Sequence, residues 1–314
     1  MSAPGNERTG SERMGRERMG SREGGVSFRA RLAARGIDGT TLLVLPGLLL
    51  MLLLFIYPFA YGIADSLSPA EGPWYANYAK FFGDPFQSRT IAATLWLALP
   101  VTLVNLALAV PIAFRVRLMK RQRLLTTILV LPITLGTVFV ADGLLTFLGP
   151  RGWFNHTLIG LGILDSPVKL TNNYWGVFAS LLITGFPFSF LLVLSYVTGI
   201  DPAIEHAAAT LGAGPRRRFW HIFLPLLVPG LAVTFCLAFV QAYAVFPSAV
   251  LLGAPSGPTR VISIAAYQAA FEQSDHAYGT AIAIIMGGVE LVIVAGVLAL
   301  RSLFYSGPVA GTKG

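Results

Sequence analysis

The sequence has little of what most soluble chemistry requires. A single cysteine, Cys236, excludes an intrachain disulfide, and its place within an apolar run is that of a buried structural residue. His156, His221 and His276 stand at no metal-ligand spacing, so no metal site is expected. None of Lys80, Lys120, Lys169 or Lys313 follows a glycine in the G-x-x-x-x-G-K-[ST] pattern that cradles nucleotide phosphates, which excludes ATP binding by this chain alone. No nucleophile–base constellation is present, so no catalytic residue is assigned and the chain is not expected to be an enzyme. Charge is scarce too, at 12% of the 314 residues, where a soluble domain carries about 25%.

What is abundant is apolar: 54% of residues are hydrophobic, and the mean hydropathy is +0.67. A chain of this kind has lipid as its main solvent. The net charge of +8 then reads as bases gathered beside anionic headgroups, not as a nucleic-acid surface. Residues 1–38 differ in kind. They are rich in Gly, Ser, Arg and Glu, include the repeat ERMGRERMG, and lack apolar periodicity, so a disordered cytoplasmic tail is expected. The run 41–63 is long enough to span a bilayer and longer than the apolar part of a signal peptide, so it reads as an uncleaved first helix.

Five more runs of spanning length follow, at 90–114, 124–148, 174–199, 226–252 and 277–300. Helices are expected, because an open strand in lipid leaves its backbone groups unpaired. Residues 39–305 thus form an all-α, polytopic domain of six transmembrane helices, with a short tail at 306–314. Three segments on one side of this arrangement hold the bases: Arg29, Arg31 and Arg35; Arg115, Arg117, Lys120, Arg121 and Arg123; and Arg216, Arg217 and Arg218. On the other side Lys80 and Arg89 are balanced by Asp65, Glu71 and Asp84. The positive-inside rule puts the basic side, and both termini, in the cytoplasm.

The loop at 201–230, DPAIEHAAATLGAGPRRRFWHIFLPLLVPG, has the makings of two short helices meeting at a glycine corner. Asp201 is a good N-cap, Pro202 suits the first helical position, and Gly212 ends the Ala-rich first helix. Gly214-Pro215 restarts the chain, and Pro225 and Pro229 are expected to break the second helix from the span that follows. Such an exposed helix–glycine–helix element is what a docking knob looks like.

These residues resemble the EAA loop of binding-protein-dependent ABC permeases, whose pattern is EAA, three residues, Gly, nine residues, Ile, one residue, Leu-Pro. Ala207 and Ala208 take the alanine positions, Leu211 and Gly212 follow, and Ile222, Leu224 and Pro225 complete the spacing. His206 stands where the family has its glutamate, with Glu205 immediately before it. The resemblance implies a type I importer permease in the bacterial inner membrane. Its loop would sit in a groove of an ABC ATPase subunit, two of which bind the ATP and Mg. It further implies a second permease subunit and an extracytoplasmic solute-binding protein. His206 hints that the sister permease is unlike this one, making a heterodimer. Within the superfamily, residues 149–170 look most like the first permease of spermidine/putrescine importers, while ferric iron, thiamine, phosphonate and sugar branches share much of the pattern.

Charges inside spans are costly and therefore candidates for function. Asp142 and Glu290 are the two such residues, and both suit the path of a polyamine cation or pair with neighbouring donors. Asn105, Gln241 and Tyr243 are softer candidates, since polar residues also serve as helix–helix contacts. Pro187 is expected to kink the fourth helix. Two other readings stay open: a secondary transporter using Asp142 and Glu290 as an ion relay, and a non-transporting membrane scaffold.

Overall fold

Lipid gives no hydrophobic drive that separates a buried leucine from a lipid-facing one, so close packing of small and shape-matched side chains decides how spans associate. A computed structural model describes residues 39–304 of the chain. The expected tails at 1–38 and 306–314 lie outside the described residues. Among the described residues five helices are long and apolar enough to cross a membrane, or six if one bent pair is counted as a span.

The elements are α1 (Gly39–Ser66), α2 (Ala76–Gly83), α3 (Pro85–Val116), α4 (Gln122–Leu135), α5 (Thr137–Leu148) and α6 (Trp153–Gly160). There follow α7 (Tyr174–Thr198), α8 (Pro202–Thr210), α9 (Pro215–Arg218), a π-helical turn (Phe219–Phe223) and α10 (Leu224–Tyr243). The last are α11 (Pro247–Leu252), α12 (Ile262–Tyr267), a second π-helical turn (Gln268–Glu272) and α13 (His276–Phe304). Residues up to Tyr61 and those from Gly62 onward form separate compact units. The first contains most of α1, and the second contains all the features below.

In the second unit α3 is the central helix, packed most extensively on α7 and then on α10. Three apolar clusters run along it. One joins Ala109, Ala113 and Val116 to Phe190, Val193 and Val197 of α7 and Leu227 of α10. A second joins Leu97 and Val101 to Val177, Ala141 of α5 and the α11–α12 segment. The third joins Ala98 to Phe239 and Tyr243 of α10 and Tyr278 and Ile282 of α13. Ala98, Ala109 and Ala113 are wholly buried, which is how small residues let backbones approach in membranes.

Two expected spans differ from their sequence reading. The third is not one helix: α4 and the stretch after it are bent by 94°. Gly136 makes the break, at φ +78 and ψ 154, a conformation open to glycine alone. The fifth neither starts nor ends as expected, because one helical course runs from Pro215 to Tyr243. Pro225 and Pro229 do not separate it from the loop. The turn before Pro225 widens to π form, with the Leu224 amide donating to the Phe219 carbonyl, and so accommodates a residue that lacks an N–H. The course then stops at Ala244, and α11 is a separate helix. Pro187 lies within the unbroken α7.

Candidate functional site

The 201–225 loop is built by local chemistry. The Asp201 side chain accepts from the Ala203 amide at 2.8 Å, which satisfies a free donor of the first turn of α8. At the other end Gly212 takes φ +80. Its amide donates to Ala209 and that of Ala213 to Ala208, both at 3.0 Å. This crossed pair with a left-handed glycine is the Schellman ending. Leu211 projects at that corner, 88% exposed. His206 and Ala207 are exposed and Ala208 is half-buried. Gly214 leads into α9 with Pro215 at its start. Ile222 and Leu224 are half-buried and Pro225 is exposed, while Phe223 is buried against the Phe114 ring at 5.1 Å.

Glu205 does not share the exposure of its neighbour. It accepts from Arg117 Nη2 at 2.7 Å and from Arg218 Nη1 at 3.3 Å. Arg117 and Arg218, which the sequence presents only as members of basic runs, are thereby part of the loop's structure. No periodicity links positions 88 residues apart, so pattern reading had no signal for the first of these bonds.

A cavity of about 100 Å³ lies where the broken helices meet. Asn105 of α3, Thr137 at the start of α5, Thr184 of α7, Gln241 of α10 and Ser248 of α11 line it. Every residue of its lining is uncharged. Gly185 makes room for Asn105, since a Cβ there would stand 2.7 Å from the Asn105 Nδ2. Asn105 is 2% exposed and its Oδ1 has no partner, an arrangement that costs free energy unless something else satisfies it. Ser248 and Ser180 share a hydrogen bond of 2.9 Å.

The structure thus brings Asn105 and Gln241 to one cavity. Tyr243 stands elsewhere, wholly buried and stacked on Phe239 at 5.3 Å. Asp142 is exposed on α5 and Glu290 half-buried on α13, and neither lines the cavity. The residues that sequence reasoning missed, Thr137, Thr184 and Ser248, are small hydroxyl side chains of a type common in any span.

Two further polar devices fix loops. Asn155 is wholly buried. It donates to the carbonyls of Gly149 and Val168, at 2.9 and 3.1 Å, and accepts from the Val168 amide at 2.9 Å. It therefore knots the segment 149–168 on itself. At the end of the molecule opposite the 201–225 loop, Arg260 is 5% exposed. It donates to Gln268 Oε1 and Gln87 Oε1, at 3.0 and 3.1 Å, and lies over the Phe86 ring at 4.5 Å. Burial pulls its pKa below the ordinary guanidinium value, and the two amide oxygens and the ring face offset the lost hydration.

Apolar spans around a cavity lined in part by amides and hydroxyls, with a helix–glycine–helix projection at one end, suit a multi-pass membrane permease. The chain belongs to the family of binding-protein-dependent transport system inner membrane components, matching it over residues 106–303. It is therefore a multi-pass protein of the bacterial inner membrane and, as a permease subunit, not itself an enzyme. It is 31% identical over 179 residues to the spermidine/putrescine transport system permease protein PotB of Haemophilus influenzae, a match covering 56% of this chain and 62% of that protein. The chain thus spans less than two thirds of that relative's length. It is 28% identical over 241 residues to the probable sulfate transport system permease protein cysT of Chlorokybus atmophyticus, covering 76% of this chain and 82% of that one. Among solved structures it resembles a chain of the bacterial alginate ABC transporter in complex with alginate pentasaccharide-bound periplasmic protein. The TM-score is 0.75 at 25% identity, over 88% of this chain and 99% of that chain.

Proposed function

We propose that this chain is one permease half of an ATP-driven importer, with the 201–225 loop docked in a groove of an ABC ATPase subunit. The supporting observation is the loop itself: a helix capped at both ends by its own sequence, with Leu211 88% exposed at a left-handed glycine corner. A side chain so placed suits a partner's pocket. Two ATPase subunits carry the ATP and Mg, and a second, unlike permease completes the pathway. A solute-binding protein delivers the solute at the end opposite the loop, and both termini face the cytoplasm. The substrate is a polyamine, a reading supported by the likeness to PotB, while the acids Asp142 and Glu290 stand outside the cavity.

A second substrate reading rests on the cavity. Its lining sets the amides of Asn105 and Gln241 and the hydroxyls of Thr137, Thr184 and Ser248 among apolar side chains, without charge, which suits an uncharged solute better than a cation. Uptake by the reconstituted transporter, with spermidine, sulfate and a neutral oligosaccharide in competition, separates these readings. Spermidine competing alone supports the first, and the oligosaccharide competing alone supports the second. Uptake that survives ATP depletion and collapses with an uncoupler would replace both with an ion-coupled transporter.

A further inference from the structure

The middle of α8 carries one carboxylate, and it faces inward. Successive residues on a helix are about 100° apart, so a shift of one position from 206 to 205 turns an acid away from the exposed face. His206 takes the outward position, and Glu205 meets two guanidiniums from different elements. Arg117 caps the end of α3 and Arg218 ends α9, which continues into α10. Arg117 is itself held: its side chain is 11% exposed, and its guanidinium lies 4.8 Å from the centre of the Phe114 ring and 4.6 Å from that of Phe223.

Apolar packing holds the loop helix only weakly, because neither α8 nor α9 has a fully buried residue. What fastens α8 to the membrane helices is therefore the charge-assisted contact of Glu205, short and partly shielded from water.

We infer that Glu205 is a positioning residue that clamps the loop helix to the ends of α3 and α10, so that a displacement of the loop is passed to both spans at once. This rests on the proposed coupling role of the loop. On this inference the carboxylate that would otherwise face the ATPase works inside the permease, and docking is left to the exposed residues.

The test uses the assembled transporter in proteoliposomes, with uptake and ATP hydrolysis measured together. Glu205→Gln keeps the shape and removes the charge. The ATPase should still co-purify and hydrolyse ATP, while solute imported per ATP falls roughly fivefold or more, the low end of ordinary coupling energies. Arg218→Gln, which removes only the longer bond, should give an intermediate ratio. Combining Glu205→Gln with Arg117→Met should be no worse than the more severe single change, because both break one contact. An unchanged ratio in Glu205→Gln overturns the clamp. Loss of the ATPase from Glu205→Gln also overturns it, since that outcome makes Glu205 a direct docking contact. If Gly212→Asp uncouples transport and Glu205→Gln does not, the clamp alone fails. If Gly212→Asp changes nothing, the coupling reading fails beneath it.

Discussion

The 201–225 loop and the cavity around Asn105 are built on opposite principles. The loop is made by near neighbours in sequence: an Asx cap at Asp201, a left-handed Gly212, a proline start at Pro215. Its long-range fastenings are the ion pairs of Glu205 and the packing of Phe219 and Phe223 on Phe114. The cavity is made by far neighbours, where Gly136 breaks one span and Ala244 ends another, and its lining is uncharged. An element meant to meet a water-exposed partner can be specified by local caps and held by ions. A cavity inside lipid must be specified by which helices approach and where they stop, because charges there are costly.

The sharpest way to break this contrast is at Gly212. No atom lies within 4 Å of a Cβ built there, so crowding within the chain is not the issue. The left-handed conformation, which costs a side-chain-bearing residue up to about 1–2 kcal/mol, and a charge set on the partner-facing corner are. Gly212→Asp should unwind the corner, displace Leu211 and lower uptake roughly tenfold or more, with thermal stability of the spans unchanged. Uptake and ATPase co-purification measure it, and normal values for both would remove the loop from coupling.

The cavity is best probed from Gly185, where any Cβ presses on Asn105. Gly185→Val should overpack this contact at a cost of about 1–3 kcal/mol and raise the KM for uptake while leaving ATPase retention intact. A changed ATPase retention with unchanged KM would mean that the two regions are not functionally separate.

Asn155 tests whether the segment resembling polyamine permeases recognises substrate or only holds its own shape. Asn155→Ala leaves buried backbone groups unpaired, at about 1–3 kcal/mol each, so the purified protein should melt at lower temperature. Substrate preference should not change. A change of preference without loss of stability would make the segment a determinant of specificity.

The smallest effect is expected at the two acids. Asp142→Asn and Glu290→Gln should leave uptake nearly unchanged if the solute is uncharged, because neither residue lines the cavity. A sharp fall in spermidine uptake in both variants would give the polyamine reading physical support.

Much of this could be read from the residues. The bounds of α1, α7 and α13 follow from runs of apolar side chains, as lipid demands of any span. Gly212, Asp201 and Pro215 announce the loop because capping and φ preference act over a few residues. The bend at Gly136 and the passage through Pro225 were misread for one reason. Glycine and proline only permit a break, and whether one forms depends on the neighbours that pack on either side.

The sequence by itself determined the solvent, the helical class, the spans α1, α7 and α13 and the shape of the exposed loop, since each is set by composition or by contacts within one or two turns. Only the tertiary structure decided that Glu205 points inward to Arg117, that Asn105 and Gln241 share a cavity while Tyr243 is packed in a core, and that Asn155 ties its own loop. Those facts depend on side chains far apart in the chain meeting at hydrogen-bond distance, which no local pattern encodes.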